Sequence, residues 1–82
     1  MSITITSETV EKTVVDALRQ FGVESEQISG DATFEELGLD SLDLAELSQV
    51  IEEEHDIRLT GADVAQVKTV RDAIDLVVSR AP

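Results

Sequence analysis

The segment Gly38-Leu39-Asp40-Ser41-Leu42-Asp43 holds the residue best placed for chemistry. Asp40 is a strong N-cap type, so the hydroxyl of Ser41 falls at a first helical position. There it lies near the surface, close to backbone N–H groups that a first turn leaves without partners. A helix start favours a phosphate-like anion, and a serine there is suited to carrying a phosphodiester. Asp40-Ser41 also reads as a plain capping pair, since both types are common at helix starts. The local pattern leaves both readings open. The other titrating candidate is His55, the only histidine. A hydrolase built from Ser41, His55 and an Asp is disfavoured, because the serine context is Gly-x-x-Ser rather than Gly-x-Ser-x-Gly and no oxyanion loop is evident. A histidine at a helix end is read instead as structural, paired with the helix dipole or partly buried. The chain has no cysteine, which removes thiolate nucleophiles, disulfides and thiolate metal sites. A single histidine removes a multi-histidine metal site, and the acids do not follow the spacing of a calcium-binding helix-loop-helix.

Helices must position these groups. Val10, Val14, Ala17, Leu18 and Phe21 recur on one face and predict a first helix over 7–21, with Ser7 as N-cap and Gly22 as the stop. A long connection follows over 22–40. Its apolar anchors Val23, Ile28, Phe34, Leu37 and Leu39 bring it down on the core, with a helical turn at 34–37. The second helix is predicted over 41–55 with Asp40 as N-cap. Leu44, Leu47, Ser48 and Ile51 form its stripe, which Leu42 and Val50 widen, and Asp43, Glu46, Glu53 and Glu54 lie opposite. Residues 57–60 alternate apolar and polar but are too few to find a strand partner. Thr60-x-x-Asp63 and Thr69-x-x-Asp72 open a short helix over about 61–67 and a last one over 70–80, with Arg80 suited to the final dipole. The expected fold is all-α: one domain over 1–82, a small four-helix bundle with a long first loop and a short third helix.

The bulk properties narrow the function. Of 82 residues, 41% are hydrophobic and only 2% aromatic, so a core exists and must be aliphatic. A domain this small rarely encloses an active site, which favours a binding or carrier module over an enzyme. The net charge of −12 argues against nucleic acid and against an anionic membrane surface. Residues 31–63 hold eleven acids and one base, so nearly all of that charge surrounds Ser41 and the second helix. Such a field speeds encounter with basic partners and weakens with salt. No apolar run reaches membrane-helix length, and the N-terminus lacks the basic region of a signal peptide. The expectation is a cytoplasmic monomer.

Gly38-Leu39-Asp40-Ser41-Leu42, continued by Asp43-Leu44-Ala45-Glu46-Leu47, resembles the attachment motif of acyl carrier proteins. Phe34-x-x-Leu37-Gly38 ahead of it, Glu52-Glu53-Glu54 near the end of the second helix and Thr69-Val70-Arg71-Asp72-Ala73-Ile74 extend the resemblance over nearly the whole chain. The resemblance implies a four-helix fold and a 4′-phosphopantetheine arm on Ser41, installed from coenzyme A by a phosphopantetheinyl transferase. The arm's thiol would hold acyl chains as thioesters, supplying the sulfur that this chain lacks. It further implies Asp40 as the motif neighbour and Leu42 as the anchor of the helix start. Asp43, Glu46, Glu52 and Glu53 would face basic patches on acyltransferase, ketosynthase and other enzymes of a fatty-acid or polyketide pathway. A peptidyl or aminoacyl carrier, and an acidic helical module that is never modified, are the alternatives.

Overall fold

The computed structural model describes residues 6–81. Residues 1–5, part of the segment read for a signal peptide, lie outside the described residues, as does residue 82. Four helices run in order: α1 (Ser7–Gln20), α2 (Ser41–His55), α3 (Gly61–Gln66) and α4 (Val70–Arg80), with a single 3₁₀ turn over Ser25–Gln27 in the long connection. The chain is all-α, and no strand forms among the described residues. Residues 57–60 are irregular, and the only extended pairing among the described residues is an isolated bridge between Thr33 and Thr69.

All four helices open on a reciprocal capping box, Thr6/Thr9, Asp40/Asp43, Thr60/Asp63 and Thr69/Asp72. In each, the cap side chain accepts the third N–H of the helix while the residue at that third position accepts the cap's own N–H. The first box corrects the sequence reading, which placed the cap on Ser7. Thr6 takes that role because its hydroxyl accepts the Thr9 N–H at 3.3 Å while the Thr9 hydroxyl accepts the Thr6 N–H at 3.1 Å. Ser7 is then the first helical residue.

Two glycines close helical segments. Gly22 (φ 98°) donates its N–H to the Arg19 carbonyl, and Val23 donates to Leu18, ending α1 at Gln20 with Phe21 as its cap. Gly38 (φ 77°) repeats the arrangement, its N–H reaching Glu35 and that of Leu39 reaching Phe34. This second closure ends the turn expected at 34–37, which starts with a Leu37 N–H to Thr33 carbonyl bond. Both use a left-handed residue that lets the chain reverse while the last carbonyls find donors.

The core is aliphatic with one ring: Val10, Val14, Ala17, Leu18, Val23, Phe34, Leu47, Ile51, Ile57, Val70, Ala73 and Val77 are buried, with no buried polar residue among the described ones. Fully burying a side chain such as Leu18 or Ile51 contributes about 2 kcal/mol. α1 packs on both α2 and α4, and α3 leans on α2. The long connection packs as its anchors required, with Ile28, Leu37 and Leu39 half-buried against the core. It then zips onto α4. The N–H of Phe34 donates to the Lys68 carbonyl, and those of Val70 and Arg71 donate to Ala32 and Gly30, each at 3.0 Å.

One expectation fails on α2. Leu42 is 75% exposed, so it neither widens the buried stripe nor anchors the helix start. Its position points away from the side carrying Leu44, Leu47 and Ile51. Leu39 and Leu44, both packed against the core, hold that end down instead.

Candidate functional site

Ser41 is the first residue of α2 and is exposed. Capping at this end belongs wholly to its neighbours. Oδ1 of Asp40 accepts the N–H groups of Leu42 (3.0 Å) and Asp43 (3.1 Å), and Oδ2 of Asp43 accepts the N–H of Asp40 (3.1 Å). Asp40 is the cap, and the Ser41 hydroxyl has no hydrogen bond to fulfil there.

Two open grooves meet at Ser41. One, of about 470 Å³, runs between α2 and α3 past Leu44, Ser48, Leu59 and Val64. The other, of about 410 Å³, runs along the long connection past Phe34, Leu39, Val67 and Lys68. Beneath the first lies an apolar cavity of about 20 Å³ among Phe34, Leu47, Ile51, Leu59, Val64 and Ala73. It is barely the size of one water, and its one polar lining residue, Ser48, donates its hydroxyl to the Ala45 carbonyl instead.

The four acids of α2 expected to face partners divide into two sets. Glu46 and Glu53 are exposed and share the outward face with Leu42 and Gln49. Asp43 is engaged in the capping box, and Glu52 accepts from Arg58 Nε at 3.3 Å. The sequence reading placed all four in one docking set; the fold leaves Glu46 and Glu53 free of internal bonds and ties down the other two. His55 is half-buried, its Nε2 lying 2.8 Å from the Thr13 hydroxyl, which links the end of α2 to α1. The structural reading of His55 therefore stands. Ser41 and His55 are the first and last residues of one helix, about 21 Å apart along its axis, which rules out a shared triad.

Two carboxylates sit below their ordinary range. Asp63 is lowered first by the Thr60 backbone N–H and then by Arg80, and Asp72 first by the Thr69 backbone N–H and then by that of Lys68. The partnership of Asp63 with Arg80 was not read from the sequence. The two residues lie 17 apart, and only the fold of the chain brings the end of α4 within reach of α3. No cluster of metal-ligating side chains exists among the described residues, and no described helix is long and apolar enough to cross a membrane.

Fold and site together describe a helical bundle that holds out one uncommitted hydroxyl at the start of its second helix, with no catalytic partner beside it. Comparison with known proteins gives this plan a family. The family described as "Phosphopantetheine attachment site" matches residues 8–77. The acyl carrier protein of Nitratidesulfovibrio vulgaris strain DP4 is 40% identical over 74 residues, covering 89% of this chain and 93% of that one. The acyl carrier protein of the Hildenborough strain matches equally. The crystal structure of an acyl carrier protein from Thermotoga maritima superposes with a TM-score of 0.74 at 30% identity, covering 89% of this chain and 86% of that one. The chain belongs to the phosphopantetheine-binding acyl carrier proteins. It is a carrier rather than an enzyme, and the group its family bears is covalently attached phosphopantetheine.

The surroundings of Ser41 fit such a group. The hydroxyl is exposed and free of capping duty, and grooves lead away from it on both sides. Among the described residues Lys68 is the only cation lining either groove, and Asp40 and Asp43 stand close by. Electrostatics here are poor for holding a free phosphate, and a covalent bond removes that need.

Proposed function

We propose that Ser41 is the attachment residue and that the protein carries acyl intermediates between the enzymes of a fatty-acid or polyketide pathway. The observation that carries this reading is the division of labour at the α2 start, where Asp40 satisfies the backbone and leaves the adjacent hydroxyl free. In the attachment step the Ser41 oxygen attacks the pantetheine-bearing phosphorus of coenzyme A. An O–P bond forms, the bond to the adenosine bisphosphate portion breaks, and the serine proton passes to a base of the transferase. Once bound, the arm supplies the thiol on which acyl groups are held as thioesters.

The remaining work belongs to this chain's residues. Asp40 and Asp43 fix the first turn, so that Ser41 is presented at one position rather than on a mobile loop. Leu42, exposed beside it, offers a partner an apolar contact within a charged face. Glu46 and Glu53, one and three turns further along that face, provide the negative field that steers basic partners. Asp43 and Glu52 contribute charge to the same field while remaining tied to their internal partners.

The test is intact mass after incubation with coenzyme A and a broad-specificity phosphopantetheinyl transferase. Wild type gains one phosphopantetheine and Ser41→Ala gains none. An unchanged wild-type mass points to an unmodified acidic module and rejects the proposal.

A further inference from the structure

Of the two grooves that meet at Ser41, only the one along the long connection carries charge. Among the described residues its lining includes Lys68, Glu35 and Asp40, whereas every side chain lining the α2–α3 groove is neutral. Lys68 stands just ahead of Thr69, the cap of α4. Its backbone is held from two sides. The carbonyl accepts the Phe34 N–H at 3.0 Å, and the N–H donates to Asp72 Oδ2 at 3.2 Å. The residue is exposed, and among the described residues its ammonium forms no ion pair. Its charge is the weakest of the influences that lower Asp72.

The other bases are placed elsewhere. Arg58, Arg71 and Arg80 pair with Glu52, Asp31 and Asp63, and Lys12 and Arg19 belong to α1. Lys68 is thus a cation on a fixed backbone, uncommitted among the described residues, in a groove that reaches Ser41. A phosphodiester on that serine is an anion. The first carbons after it in pantetheine are a methylene and a geminal dimethyl centre, both apolar. The groove of the long connection meets both needs, with Lys68 for the charge and Leu39, Leu44 and Val67 for the methyl groups. Its two carboxylates oppose the phosphate, though weakly. Oδ1 of Asp40 is already shared between two N–H groups, and Glu35 is exposed to screening solvent. A free phosphate would not be captured on this balance. A tethered one needs only to be turned, because the covalent bond already sets its local concentration.

We propose that Lys68 is a positioning residue for the arm. It draws the phosphodiester to its own side and lays the start of the pantetheine along the groove of the long connection rather than the α2–α3 groove. This rests on Ser41 as the attachment residue.

The test is nuclear Overhauser contacts of the arm's geminal methyl protons in protein loaded from coenzyme A. In wild type they reach Leu39 and the Lys68 side chain, which line only the connection groove, and not Leu59 or Ala65, which line only the other. In Lys68→Gln the contacts to Leu39 weaken about threefold, the scale of one exposed ion pair, and Lys68→Arg keeps them. Added salt weakens them in wild type. The amide spectra of the unloaded variants match wild type, since the backbone bonds of residue 68 do not involve its side chain. Contacts to Leu59 or Ala65 instead, contacts to neither groove, or equal contacts in wild type and Lys68→Gln overturn the proposal while leaving attachment intact. Intact mass reads attachment separately, and a chain that takes no arm rejects both.

Discussion

At the start of α4 the N–H groups of Val70 and Arg71 donate to the carbonyls of Ala32 and Gly30, and that of Asp72 donates to the Thr69 hydroxyl. Val70 itself is 1% exposed. At the start of α2, Asp40 alone supplies the acceptors, the next two residues are exposed, and open grooves flank the first of them. Both helices begin on the same box, a cap residue answered three positions on by an aspartate. The box fixes where each helix begins. Whether that beginning becomes a joint or a site depends on where the long connection lies, and it folds over one start and leaves the other open. A third start sharpens the point. α1 also carries a serine at its first helical position, Ser7 after the cap Thr6, and it too is exposed. What α2 adds is the loop closure at Gly38 and the grooves that meet at Ser41.

This contrast is open to attack by mutation. The largest effect belongs to the covered start. Val70→Ala removes fully buried methyl groups and costs about 2 kcal/mol in urea unfolding, whereas Leu42→Ala, at the open start, stays within about 0.5 kcal/mol. Comparable losses at both would erase the distinction between joint and site. Next comes the cap. Asp40→Ala destabilises by about 1 kcal/mol, while Asp40→Asn, which keeps an acceptor oxygen, loses less.

The pH dependence bears on the boxes of α3 and α4. Asp63 and Asp72 have folded pKa values below those of the unfolded chain, lowered chiefly by the backbone N–H groups of Thr60 and Thr69. Their stabilisation is therefore fully present above the unfolded value near pH 4 and is lost as pH falls through the lowered folded values. Thermal melts of Asp72→Asn should fall less steeply than wild type below about pH 4. Equal slopes would contradict the shift.

The smallest effect is general. Eleven acids among residues 31–63 repel one another, so added salt or millimolar magnesium raises the melting temperature. Glu53→Gln reduces that sensitivity, and a flat or falling response in wild type would contradict the repulsion.

The sequence carried most of this fold because its signals are local. Caps at Asp40, Thr60 and Thr69, a glycine stop at Gly22 and apolar faces at helical spacing each act within a few residues, and α2 was bounded as observed. The misses arise where the answer is not local. Ser7 and Thr6 are both capping types, and only the bond from the Thr9 N–H chose between them. Leu42 looked like part of a stripe until the fold turned its side of α2 outward. Arg80 was read for the helix dipole alone, since nothing near it in the chain announces Asp63. At the candidate site, the residue type and position of Ser41 were legible. That the Ser41 hydroxyl takes no part in the capping, and that Glu52 and Asp43 are engaged while Glu46 and Glu53 are free, required the folded arrangement.

The most direct measurement locates the arm. After transferase treatment, the protein is digested and the modified peptide fragmented. The phosphopantetheine should sit on Ser41, with Ser7 unmodified despite its matching position at a helix start. An arm on Ser7 or any other hydroxyl, or unaltered loading of Ser41→Ala, would contradict the claim that the open start of α2 is the site.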